Sequence, residues 1–218
     1  MLLCAPCQAR IFADARHSCW AWTPLPVQSA ASMPHYSHVI AVDDAPFPRD
    51  HRGFVPIAGV AYAGTRLEGT MRARVRRDGA DATRALAAMV KQSRFAQHTR
   101  LVLLEGIALA GFNVVDIHGL SEQLGMAVLV VVKREPNMAA VEEALLHRVR
   151  GGKRKWALVQ KAGPMEPLAN VWVQRAGIEK NDAAEVIRAL ALHGRLPEPL
   201  RVAHWVANVM AIEGAMTP

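Results

Sequence analysis

The sequence predicts an α/β fold, a mixed sheet with helices on its faces. Three observations predict it. An antiparallel pattern runs from Gly53 to Arg76, in which two strand-like stretches are joined by the turn signal Gly64-Thr65. Two uninterrupted apolar runs, Leu101 to Leu104 and Met126 to Val132, suit central strands buried on both sides. Segments with apolar residues at helical spacing separate and follow those runs.

The first strand is the short apolar run Val39 to Val42, which ends in two adjacent carboxylates, Asp43 and Asp44. Pro46 and Pro48 stop it. Neighbours on a strand point to opposite faces, so one aspartate can face a given site and the other is left to solvent or a turn. The second strand spans Gly53 to Ala63. The third, Leu67 to Arg76, places Leu67, Gly69, Met71, Ala73 and Val75 on one side and Arg72, Arg74 and Arg76 on the other. With the first strand these make a three-strand antiparallel meander. Asp78 or Asp81 is placed to cap a helix carrying Leu86, Met89 and Val90 to about Ser93. The fourth strand ends in Glu105-Gly106. Gly111 to Asn113 is expected to open a helix with Val114, Ile117, Leu120 and Leu124 inward, closed by Gly125. The fifth strand ends at Lys133. A helix is expected from Asn137 to about Val149, then a basic loop, and then a hairpin of Trp156 to Gln160 with Asn170 to Arg175. Asn181 or Asp182 is expected to cap a helix through Leu192, and a last helix runs from Leu200 to about Met210.

The 218 residues suffice for one domain with a sizeable core, and the net charge of +7 favours polyanionic partners such as nucleic acid. No apolar run reaches the roughly 18 to 20 residues of a membrane helix, and a cytoplasmic location is expected. Cys4, Cys7 and Cys19 all lie in the first twenty residues, and their spacing with His17 matches no standard zinc finger. Residues 1–35 lack periodicity and read as a poorly structured extension, with 36–218 as a single domain. Met1 to Leu3 followed by Cys, Pro and Gln does not supply the apolar stretch of a secretory signal. A chain beginning at Met33 is expected to fold as stably as the full chain.

Three acids occupy related places: Asp43 ends the first strand, Asp78 follows the third and Glu105 ends the fourth. Several carboxylates brought to one point suit hard divalent cations, Mg²⁺ or Mn²⁺, which activate water and stabilise the departing oxygen of a phosphodiester. The row Arg72, Arg74 and Arg76 can hold a phosphate backbone or can be a solvated face. Asp78 can equally be a helix cap. Asp116 can face the site or solvent, and Arg201 and His204 share a helix face, where packing and ion pairing are the first expectation.

Four motifs follow one another in a recognisable order: Val42 to Phe47, Arg74 to Thr83, Leu104 to Ile117, and Pro197 to His204. In these, roughly Ser37 to Met210 resembles the endonuclease-V-like family called domain of unknown function ninety-nine. The resemblance implies a ribonuclease-H-like fold related to endonuclease V, the nuclease that cuts beside deaminated bases. It implies Asp43, Asp78 and Glu105 as metal ligands and Lys133 near the scissile phosphate. The sequence departs from the pattern in three places. Glu105 stands where the family usually has Asp, moving the oxygens by about an ångström. The Tyr-Ile-Pro-Gly wedge of endonuclease V is replaced by Arg72 to Arg77, and its histidine-bearing loop by Ala108 to Asn113. The expectation is a metal-dependent nuclease acting on nucleic acid, with Asp43 and Glu105 on the metal. The alternatives are a non-catalytic nucleic-acid-binding or adaptor domain with a degenerate acidic site, and a small-molecule phosphoesterase.

Overall fold

The computed structural model describes residues 36–216, with side chains to residue 211. The expected extension with its cysteines lies outside the described residues. The elements in chain order are β1 (His38–Asp44), β2 (Phe54–Ala63), β3 (Arg66–Arg76), α1 (Ala82–Gln92), β4 (Leu101–Glu105), β5 (Ala108–Leu109) and β6 (Asn113–Val114). There follow α2 (Ile117–Leu124), β7 (Ala127–Val132), α3 (Met138–Arg148), α4 (Gly152–Lys161), β8 (Glu166–Leu168), β9 (Val171–Ala176), α5 (Lys180–Leu190) and α6 (Glu198–Met216).

Seven strands form one sheet in the order β3-β2-β1-β4-β7-β9-β8, and β5 and β6 form a small separate hairpin. β1, β2 and β3 are the antiparallel meander. β4 lies parallel to both β1 and β7, a central place that suits its apolar run from Leu101 to Leu104. β9 and β8 return the sheet to antiparallel pairing.

Alternation along the strands sorts the core into two layers. Ile40, Val42, Val102, Leu104, Val128 and Val130 meet Leu86 and Val90 of α1 and Ile117 and Leu120 of α2. Val39, Ala41, Leu101, Leu103, Leu129 and Val131 meet Val186 and Ile187 of α5 and Leu200 and Ala203 of α6. Burying each such Leu or Ile contributes about 1.5–3 kcal/mol.

Several expected boundaries move. Trp156 to Gln160 is not a strand but part of α4, and β9 takes β8 as its hairpin partner instead. Trp156-Ala-Leu-Val is too short a run to reveal its period. Gly152, Lys155 and Val159 are the buried residues, at helical spacing. Gly152 also touches α3 so closely that a Cβ would lie 1.6 Å from the Leu145 carbonyl oxygen. Gly111 to Asn113 opens no helix. It enters β6, and α2 begins only after Asp116, whose Oδ1 accepts the Gly119 N–H at 2.9 Å. Gly125 closes α2 in the left-handed conformation, as expected (φ 63°). Glu179, rather than Asn181 or Asp182, stands at the head of α5, and α6 extends beyond Met210. A bulge at Ala61/Tyr62 breaks the alternation of the meander, and Leu67, expected inward, is 45% exposed.

Candidate functional site

Strand parity decides which carboxylates can meet. Asp43 continues the Val39-Ala41 row and Glu105 continues the Leu101-Leu103 row, so both lie on the α5/α6 face. The pairing of Val42 with Leu104 sets the two acids side by side at the ends of adjacent parallel strands. Asp44 belongs to the α1/α2 face, with Ile40 and Val42. Asp43 is 8% exposed. Its Oδ1 accepts the Asp44 N–H at 2.9 Å, and its Oδ2 lies 2.8 Å from His204 Nδ1 on α6. An ionised carboxylate only accepts, so the histidine places its proton on Nδ1 and leaves Nε2 outward.

These acids are held against their own charge. Burial raises the Asp43 pKa, and the His204 bond and the Asp44 amide offset it only in part. Burial and the neighbouring Asp43 push Asp44 up to about 6, although the Ala110 amide bonds to it. Burial and Asp43 also raise Glu105, with Lys133 opposing. The Lys133 ammonium sits 4.0 Å from Glu105 Oε1 and is largely exposed. A cation placed between Asp43 and Glu105 would relieve both carboxylates at once.

Asp78 has different company. It adopts a left-handed conformation (φ 49°), donates its N–H to the Ala110 carbonyl at 2.9 Å and accepts the Phe112 N–H on Oδ1 at 2.9 Å. Its Oδ2 lies 3.2 Å from Arg77 Nε, and its carbonyl accepts from the buried Lys155 Nζ. Gly111 makes this closure possible, because a Cβ there would stand 2.5 Å from Asp78 Oδ1. Asp81 stands at the head of α1 but makes no side-chain cap bond. It accepts from Asn113 Nδ2 at 2.6 Å, while Asn113 Oδ1 takes the Ala82 N–H at 3.0 Å. The cap of α1 thus comes from the β5–β6 hairpin. Asp116 caps α2 and pairs with Lys161 at 2.9 Å. Among the described residues, no group of three or more His, Cys, Asp or Glu side chains is arranged to hold a metal ion.

Of the arginines, Arg72, Arg74 and Arg76 lie exposed on the α5/α6 side of the sheet, opposite Val75. Arg72 pairs with Ala58 and Ala58 with Asp43, so the arginine row leads into the acid pair across one strand. A groove of about 1320 Å³ opens where the β3–α1 turn meets α4, with Arg49, Arg52, Arg84, Arg150 and Arg154 among its walls. None of these five forms an ion pair among the described residues. Arg201 forms an ion pair with Glu198 and donates to the His193 carbonyl, as expected of a packing and ion-pairing residue. His204, on the same helix face, instead reaches the acids. The Pro197 to His204 motif marked this residue, but its contact with Asp43 was not legible, since that partner lies 161 residues away.

The sheet and its flanking helices are those of the ribonuclease-H-like fold. An endonuclease V from Ciona intestinalis, solved with a 24mer DNA containing an inosine followed by a ribo-adenosine, superposes with a TM-score of 0.55 at 11% identity over 83% of this chain and 88% of its own. A protein of unknown function from Archaeoglobus fulgidus gives a TM-score of 0.74 at 29% identity, covering 79% of this chain and 97% of its own. A UPF0215 protein of Deinococcus radiodurans is 48% identical over 184 residues, 84% of this chain and 94% of the relative. The chain belongs to the endonuclease dU family, whose model matches residues 35–211. No helix among the described residues is long and apolar enough to cross a membrane.

Proposed function

We propose that the protein is a metal-dependent endonuclease that cuts nucleic acid beside a deaminated base, deoxyuridine first among them, in the cytoplasm. The observation that carries this is the side-by-side placement of Asp43 and Glu105, where burial and Asp43 disfavour the Glu105 charge, with Lys133 and His204 at their edges. The family description and the fold shared with endonuclease V support it.

The two carboxylates fit a hard cation, because Mg²⁺ is commonly held by one or two carboxylates, water and substrate phosphate rather than by a complete protein cage. Bound there, Mg²⁺ or Mn²⁺ would polarise the scissile phosphate and the attacking water. His204 orients the Asp43 carboxylate through Nδ1 and offers Nε2 for a proton. Lys133, paired loosely with Glu105, is free to turn to a phosphate oxygen. Asp78 is a brace for the β5–β6 hairpin rather than a ligand, and Arg72, Arg74 and Arg76 contact the phosphate backbone.

The absence of a ready three-ligand group among the described residues favours one other reading, a non-catalytic nucleic-acid-binding module. Labelled DNA and RNA carrying deoxyuridine or inosine, incubated with Mn²⁺, separates the two. Cleavage that disappears in Asp43→Asn and survives in Asp78→Asn supports the enzyme. Binding without cleavage, indifferent to chelator, supports the module.

A further inference from the structure

Phe54, the first residue of β2, is a large apolar side chain left 46% exposed. It has the same parity as Val60 and Tyr62, so its ring is on the α5/α6 face with Asp43 and Glu105. Two guanidinium groups lie against it. Arg74 Cζ is 5.0 Å from the ring centroid and Arg76 Cζ 5.4 Å. Neither arginine forms a salt bridge among the described residues. The cations are thus arranged around an aromatic face and not neutralised by acids.

Such a cluster suits one ligand chemistry, a flat aromatic ring attached to an anion. A nucleotide base stacks on the phenyl ring or on a guanidinium plane while its phosphates meet the arginine charges. The strand register places the cluster relative to the acids. Asp43 pairs with Ala58, four residues along β2 from Phe54. At about 3.4 Å per residue and one strand spacing of about 4.8 Å, the separation is roughly 14 Å. That is about four nucleotides of a stacked strand at 3.4 Å each, and fewer of an extended one.

We propose that Phe54, flanked by Arg74 and Arg76, is a stacking platform for an unpaired base, and that it holds a single-stranded segment two to four nucleotides from the bond at the Asp43–Glu105 pair. The inference rests on the nucleic-acid reading above and adds that the bound segment is single-stranded and read by stacking. In a duplex each base is already stacked on its neighbours, so the platform gains nothing from paired DNA.

The test is binding, not cleavage, so the two readings fail separately. Fluorescence anisotropy of the full chain in chelator measures affinity for a labelled single-stranded oligonucleotide with one deoxyuridine. A companion series replaces each other nucleotide in turn by an abasic residue. Phe54→Ala is expected to weaken binding about 5- to 100-fold, and Phe54→Trp to retain it. Removing one particular base should cost the wild type a similar factor and cost Phe54→Ala nothing further, because both changes delete the same contact. Equal affinity of wild type and Phe54→Ala overturns the proposal. So does an abasic profile that is identical in both proteins, or binding to duplex alone. Arg74→Gln, expected to weaken all oligonucleotides evenly and to flatten the salt dependence, is the second variant should Phe54→Ala melt early. An Arg74→Gln protein with unchanged affinity and salt dependence also overturns it. Phe54-dependent binding with no Mn²⁺-dependent cleavage sinks the nuclease reading and leaves the platform standing.

Discussion

Two groups of acids sit on either side of the Ala110 backbone, and they are built on opposite terms. At the β1 and β4 ends, burial outweighs the donors and cations near Asp43, Asp44 and Glu105, and all three pKa values are raised. At the β3–α1 corner, Asp78 and Asp81 receive the Phe112 and Arg76 amides, Arg77 and Asn113. A carboxylate with its donors in place strengthens a fold, and one left short of them keeps affinity in reserve for an ion. Position at a strand end does not tell the two kinds apart. The balance of burial against donors does.

The contrast breaks most sharply at Asp43. Asp43→Asn should lower Mn²⁺-dependent cleavage about a thousandfold or more, the several kcal/mol a metal supplies, while calorimetry shows a melting temperature near that of the wild type. A large loss of stability would move Asp43 into the structural group. Asn113 tests the other side. It is fully buried, and its amide joins Ala82, Arg76 and Asp81. Asn113→Ala should cost about 2–4 kcal/mol in urea titrations, because several buried partners are orphaned, and leave cleavage per folded molecule intact. Lys133→Gln sharpens the picture further. Loss of one charge-assisted contact to phosphate predicts a 10- to 100-fold fall in kcat/KM with unchanged stability.

The smallest effect concerns Asp116. Burial pulls its pKa up, but the Gly119 amide and Lys161 outweigh that, and the net shift is downward. The ionised form is therefore the stabilising one. Its contribution is complete above the unfolded value near 3.9 and fades as pH falls through the lower folded value. Asp116→Ala should cost about 1 kcal/mol at pH 7, with the gap to wild type narrowing below about pH 4. A gap that widens in acid would reverse the sign.

Much of the frame could be read from the residues. β1, β4 and β7 are short apolar runs with no competing helical period, and the alternation of β3 placed its arginines on the outer side. The Trp156 to Val159 run of α4 fits either period, because four apolar residues are too few to choose. Its helical face emerges only with Gly152 and Lys155, which sit in what reads as a basic loop. The candidate site was legible in part. The shared face of Asp43 and Glu105 follows from strand ends and parity. Asp78 also follows a strand, but its bonds to Ala110 and Phe112 come from the segment of the β5–β6 hairpin, whose two-residue strands leave no periodic trace. His204 and Asn113 act across 161 and 31 residues, beyond any local pattern.

Ala110 joins the two groups. Its amide bonds to Asp44, its carbonyl receives the Asp78 N–H, and it holds a left-handed backbone (φ 48°) without being glycine. One alanine is thus hydrogen-bonded on both sides, so the end of β1 and the β3–α1 corner share a single backbone anchor, and a substitution that shifts Ala110 would disturb Asp44 and Asp78 together.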